Sequence, residues 1–199
     1  MKKILFLFLL GFWWCGCSHQ AIYNEANLGH DIQIVDPKTK PQIVVVLDKK
    51  ENQTFKSSSK IGKDEKFEIN LEEFASKSTY KFFKHFYKDV IITDDLETIN
   101  KAQIAIYPKL QNFAFGFFDK DDFEVSSFPF VTYDFKLKIT KNNEEIFNDF
   151  VSDDSKKLSE EEIFYGNGKS SFAKLSPLLQ YHLENDLSKH KIEIFKAID

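Results

Sequence analysis

The chain has 199 residues, enough for one domain with a short appendage and too few for two. Hydrophobic residues make up 42% and charged residues 29%, a balance that excludes collagenous, wholly disordered and multi-span membrane chains. A formal net charge of −4 and the absence of arginine argue against nucleic acid as a partner, because only the point charges of lysine remain to recognise phosphate.

Residues 1–17 open with Lys2 and Lys3, continue through an apolar run from Ile4, and end in Gly16-Cys17. Positive start, apolar run of about ten residues and a small residue before a cysteine describe a signal peptide, too short for a bilayer span of about 20 residues. The Gly16-Cys17 ending resembles the lipobox of bacterial lipoproteins, with Trp14 and Cys15 departing from the usual upstream residues. The resemblance implies cleavage after residue 16 and acylation of Cys17 with a diacylglyceryl group, palmitate-type chains serving as membrane anchor. Cys15 is the rival acceptor, disfavoured because bulky Trp14 precedes it. Ser18 after the modified cysteine resembles the default outer-membrane sorting signal. Both cysteines fall in this region, so residues 18–199 carry no thiol, disulfide or cysteine metal site.

The expected organisation is a signal peptide over 1–16, a lipidated N-terminus and polar tether over 17–41, and one periplasmic domain over 42–199. Ile43 to Leu47 is a short β-branched run suited to a strand buried on both faces. Asp48 to Lys66 reads as a loop, with a weak strand at Lys66 to Ile69. Asn70 and Glu73 match a capping box, and Leu71, Phe74, Ala75, Ser78, Phe82 and Phe86 recur at helical spacing through Lys88. Asp89 to Thr93 reads as a strand, Asp94-Asp95 as a turn, and Ala102 to Tyr107 as a strand entering an aromatic segment.

Ile104, Ile106 and Leu110 share one parity, whereas Phe113, Phe115 and Phe117 share the other. A bulge between Pro108 and Asn112 would keep both sets inward. Val131 to Ile139 alternates apolar with polar residues, the pattern of a strand wet on one side. Lys141-Asn142-Asn143-Glu144 predicts a hairpin turn, with Ile146 to Val151 as the returning partner. Asp153 to Glu162 is a charged connector. Ser170 to His190 predicts a last helix, its stripe formed by Phe172, Leu175, Leu178, Leu179, Leu183 and Leu187, with Pro177 near its start.

The order β-α-β-β-β-β-α predicts an α+β domain: a largely antiparallel sheet of about five strands with two helices packed on one face. Behind a lipoprotein-type signal, this order resembles the small α/β outer-membrane lipoproteins of Gram-negative bacteria, YajG-like or lipopolysaccharide-assembly-lipoprotein-like. The similarity rests on the element order and on the segments Val44 to Asp48 and Ala102 to Pro108. It implies a cell-envelope location and assigns no functional residue.

No G-x-S-x-G elbow, H-E-x-x-H pair or phosphate loop is present, so an enzyme is not expected; it would require His85 or His182 beside a carboxylate in a cleft. His182 and His190 lie eight residues apart, two helical turns, and are read as surface residues with no metal role. Asp119 to Asp122 lacks calcium-loop spacing, because Phe123 takes the place of the next oxygen ligand. No cofactor is expected. Aromatic density from Phe113 to Phe130 is unusual, and Phe117, Phe118, Phe123 and Phe128 are the candidate contact for a protein partner. The expected function is a membrane-anchored, non-enzymatic, periplasm-facing adaptor or accessory subunit of an envelope assembly, binding another envelope protein. The alternative is a lipid or apolar-ligand carrier, with a cavity lined by Phe82, Phe86, Leu179 and Leu183.

Overall fold

The computed structural model describes residues 18–26, 37–39, 41–59, 66–119, 126–153, 157–159, 163–164 and 173–199. Their strands are β1 (Ser18–Gln20), β2 (Ile43–Val46), β3 (Gln53–Lys56), β4 (Lys66–Ile69), β5 (Val90–Thr93), β6 (Ile104–Asp119), β7 (Ser126–Lys141), β8 (Glu144–Phe150), β9 (Lys157–Leu158) and β10 (Ile163–Phe164). Their helices are α1 (Leu71–Lys84), α2 (Leu96–Lys101), α3 (Leu175–Lys189) and α4 (Lys191–Ile198).

The larger sheet has seven strands in the order β10-β7-β6-β2-β5, with β8 and β9 also on β7. Strand β2 runs parallel to both β5 and β6, and the other pairings of this sheet are antiparallel. The fold is α+β, as the sequence predicts. Its sheet is larger than the expected five strands, and a second sheet, β1-β4-β3, stands beside it.

Helices α1 and α3 lie over one face, where the main core joins Phe74, Phe82 and Phe83 to Leu179, Leu183 and Leu187 and to inward residues of β6 and β7. Helix α2 covers part of the opposite face through Val44, Ile99, Ala102 and Ala105. The two expected helices therefore share one face as predicted, and α2 is an additional helix on the other. Strand β2 is buried from both sides, Ile43 and Val45 toward α1 and Val44 toward α2, which explains its unbroken apolar run.

Several local readings hold. The Asn70 side chain accepts from the Glu73 backbone N–H at 3.0 Å and caps α1, which ends at Lys84, one turn earlier than expected. The β6–β7 ladder shifts register between Gln111 and Ala114, where Asn112 adopts φ 53°. One extra residue there turns both parity sets inward, so Leu110, Phe113, Phe115 and Phe117 are all buried. Asn142 and Asn143 take φ 52° and 68°, the paired left-handed conformations of a type I′ turn. Leu175, Leu178, Leu179, Leu183 and Leu187 form the buried stripe of α3, and Pro177 sits in its first turn, where no intrahelical donor is lost.

Other readings change. Ser18–Gln20 is not tether: β1 pairs parallel with β4, and Tyr23 is buried with its ring edge-on to Phe74. Lys38 is also tied down, accepting from the Lys88 N–H and donating to the Phe86 carbonyl. The expected loop 48–66 contributes β3, antiparallel to β4. Asp95 does not close a plain turn. Its carboxylate accepts from the Thr98 N–H at 2.8 Å and starts α2. The charged connector contributes β9, and α4 extends the chain beyond the expected last helix.

Candidate functional site

The hairpin β6–β7 dominates the molecule, with 16 residues in each strand. Its inner face packs on the helices. Its outer face is a row of cross-strand pairs: Tyr107 with Lys138, Lys109 with Lys136, Gln111 with Asp134, then past the bulge Ala114 with Thr132, Gly116 with Phe130, and Phe118 with Phe128. The first three pairs are polar and two of them carry lysine; the last three bring alanine, threonine and glycine together with three phenylalanines.

At the basic end a cleft of about 730 Å³ opens beyond the carboxyl ends of the parallel strands β2 and β5, the usual place for a crevice in sheets of this kind. Its floor is Tyr107, Lys109, Lys136 and Lys138. Its walls come from the segment after β2, from α2 and from β8. Lys138 lies over the Tyr107 ring at 5.9 Å and Lys136 over the Phe150 ring at 5.7 Å, so each ammonium sits on an aromatic face.

On the wall, Lys50 bonds Glu72 at 2.7 Å and Asp48 at 2.9 Å, and Lys49 pairs with Asp94. Glu72, then Asp48, raise the Lys50 ammonium above its ordinary pKa, and Lys49 lowers the Asp94 carboxyl, so Lys50 and Asp94 remain charged at neutral pH. Five lysines against three carboxylates leave the lining cationic, which suits an acidic partner.

At the other end, Ala114, Phe117, Phe118, Phe130 and Thr132 line a groove of about 470 Å³ together with Ser58 and Ser59. Phe130 lies across Gly116 so closely that a Cβ there would stand 2.6 Å from its Cζ. Glycine is required by that approach. Phe118 remains 48% exposed.

The inner face of the same distal half is clamped by a buried polar group. The Tyr133 hydroxyl donates to Asp186 Oδ2 at 2.7 Å, and Lys157 Nζ stands 3.4 Å from Asp186 and 2.9 Å from Asp153. Asp186 and Lys157 are 1% and 4% exposed. Burial raises the Asp186 carboxyl, opposed by the Tyr133 hydroxyl and Lys157, and burial with the Asp186 charge raises Tyr133 well above its ordinary value. Burial, then Lys157, lower His182 to about 4, so its imidazole is neutral at pH 7. His182 lines neither of the clefts described above.

The candidate contact residues separate. Phe117 shares the parity of Phe113 and Phe115, is 3% exposed and meets the Phe115 ring edge-on at 6.3 Å, so its side chain belongs to the core. Phe118 faces outward and Phe128 lies half-buried opposite it. Phe123 and Cys17 lie outside the described residues. The four side chains proposed to line a ligand cavity are packed instead: Phe82, Leu179 and Leu183 are buried, and Phe82 and Phe86 meet ring to ring at 5.2 Å. The basic cleft was hidden in the sequence because its lysines come from three separate segments. Lys136 and Lys138 read only as the wet side of a strand.

The fold is that of an α+β domain with a parallel centre and a long antiparallel hairpin. No family model matches the chain, and no curated protein matches it. Among solved structures it is similar to a Xanthomonas campestris protein of family DUF330, with 6% identity, a TM-score of 0.48, and coverage of 85% of this chain and 93% of that one. It is also similar to a Helicobacter pylori protein described as a neuraminyllactose-binding hemagglutinin homolog, with 15% identity, a TM-score of 0.41, and coverage of 82% and 91%. No residue of this chain takes a role from either.

Proposed function

We propose that the protein is a membrane-anchored bacterial lipoprotein, non-enzymatic, held at the outer membrane by lipid on Cys17 and facing the periplasm as an adaptor or accessory subunit of an envelope assembly. The observation that carries the reading is the start of β1. Ser18, the residue after Cys17, already pairs with Lys66, so an acyl group on Cys17 would be joined to the folded domain without a spacer. The basic cleft supplies a surface for an acidic segment of the partner, whose approach positive charge would steer. The packing of Phe82, Phe86, Leu179 and Leu183 favours this reading over a carrier of apolar ligands.

Mild crosslinking in native membranes followed by mass spectrometry tests it, comparing wild type with Cys17→Ala and with Lys136→Glu/Lys138→Glu. One envelope protein should be recovered with wild type and lost with the charge-reversed pair. Recovery of bound lipid with no protein partner would overturn the adaptor reading.

A further inference from the structure

The hairpin's apolar end and the start of β1 lie at the same pole of the molecule. Ser18 stands beside Lys66 in the β1–β4 pairing, and Lys66 beside Lys56 in the β4–β3 pairing, so Ser18 is two strand spacings, about 10 Å, from Lys56. From Lys56 the chain runs straight onto the distal hairpin. The Ser58 N–H and hydroxyl both donate to the Phe115 carbonyl at 2.8 Å, and the Phe117 N–H donates to Ser59 Oγ at 2.9 Å.

Direction follows from the same contacts. The Phe55 ring meets Phe113 at 4.9 Å, Ser58 meets Phe115 and Ser59 meets Phe117, so the chain from β3 runs alongside β6 toward Phe118. Strand β4 is antiparallel to β3 and β1 is parallel to β4. Strand β1 therefore runs away from the hairpin end, and its first residue, Ser18, lies on the side of that end.

We infer that the outer face of the distal hairpin, where exposed Phe118 stands beside half-buried Ala114 and Phe128, rests in the interface of the same bilayer that holds the acylated Cys17. The inference rests on the anchoring proposed above. Phe118, 48% exposed, leaves an aromatic ring in water at this end unless something covers it. The bilayer is the nearest apolar phase once the anchor is in place. An aromatic side chain at the rim gains from headgroup depth, and exposed Lys56 and Lys66 on the anchor row reach lipid phosphates. The basic cleft, at the far end of the hairpin, is then held away from the membrane and open to a partner.

Cleavage after residue 16 would remove both tryptophans, Trp13 and Trp14, so the mature chain gives a background free of tryptophan. Acylated Phe118→Trp and Lys138→Trp are reconstituted on phosphatidylethanolamine–phosphatidylcholine vesicles whose acyl chains are brominated or not. Flotation first establishes that both chains are anchored. The expected result is a blue-shifted emission at 118 that loses most of its intensity to brominated lipid, with the emission at 138 unshifted and unquenched. Flotation with equal, absent quenching at both positions would overturn the inference and leave the anchor standing. Failure of the mature chain to float would remove the anchor and the inference together.

Discussion

The two halves of the β6–β7 hairpin share a backbone, a ladder and an inner face of core residues, yet their outer faces have opposite chemistry. Before the bulge the cross-strand pairs are Tyr107 with Lys138 and Lys109 with Lys136; after it they are Gly116 with Phe130 and Phe118 with Phe128. The inner face fixes where the hairpin sits. The outer face is free to differ, and within one pair of strands it changes from lysine to phenylalanine.

The comparison breaks most severely where the distal half is clamped. Asp186→Leu strands the Tyr133 hydroxyl in the core and leaves the buried Lys157 ammonium with Asp153 alone, and unfolding free energy should drop by about 3 kcal/mol in a urea titration. An unchanged midpoint would mean that the clamp is not what holds β7 on α3. Gly116→Val drives a side chain into the Phe130 ring and should cost about 1–3 kcal/mol by the same titration, because that ring must leave its place over β6. At the boundary, Asn112→Val forces a β-branched residue into a left-handed conformation and should lose about 1–2 kcal/mol, while Asn112→Gly loses less. Equal loss from both would show that the Asn112 side-chain bond to Asp134, not the backbone, sustains the bulge.

A smaller effect separates the clamp from its surroundings by pH. His182 titrates at about 4 in the folded chain and at 6.5 when unfolded, so the unfolded chain binds the extra proton across that interval. Its contribution is full above pH 6.5 and is lost as pH falls toward 4. Asp186, whose carboxyl is raised, acts with the opposite slope at acid pH, so the decisive quantity is wild type minus His182→Gln, which should fall with decreasing pH across this window. A flat difference would contradict the buried neutral imidazole. Smallest of all, Phe118→Ser and Lys138→Gln should each change stability by no more than about 0.5 kcal/mol, since neither supports the core; a large loss at either would make that end structural.

Much of this fold was legible where a pattern carries a period or a named turn. The parity change between Leu110 and Phe113 revealed the bulge, Asn142-Asn143 the hairpin turn, and Asn70 with Glu73 the first helix cap. The same parity sets Phe117 with the core and Phe118 opposite, whereas aromatic density alone does not separate them. Strand β1 was hidden because Ser18-His19-Gln20 has no apolar alternation and is a strand only through pairing with β4. Helix α2 spans six residues, too few for a period to emerge, and only the Asp95 cap announces it. The cleft was illegible because spatial convergence of Lys49, Lys109 and Lys136 leaves no mark on local sequence.

The account depends most on chemistry at one residue. Intact-mass and N-terminal peptide analysis of the chain purified from native membranes addresses it directly. The predicted result is a mature chain beginning at Cys17 whose mass includes a diacylglyceryl group. A chain that keeps residues 1–16, or one that begins elsewhere with Cys17 absent or carrying a free thiol, would contradict it.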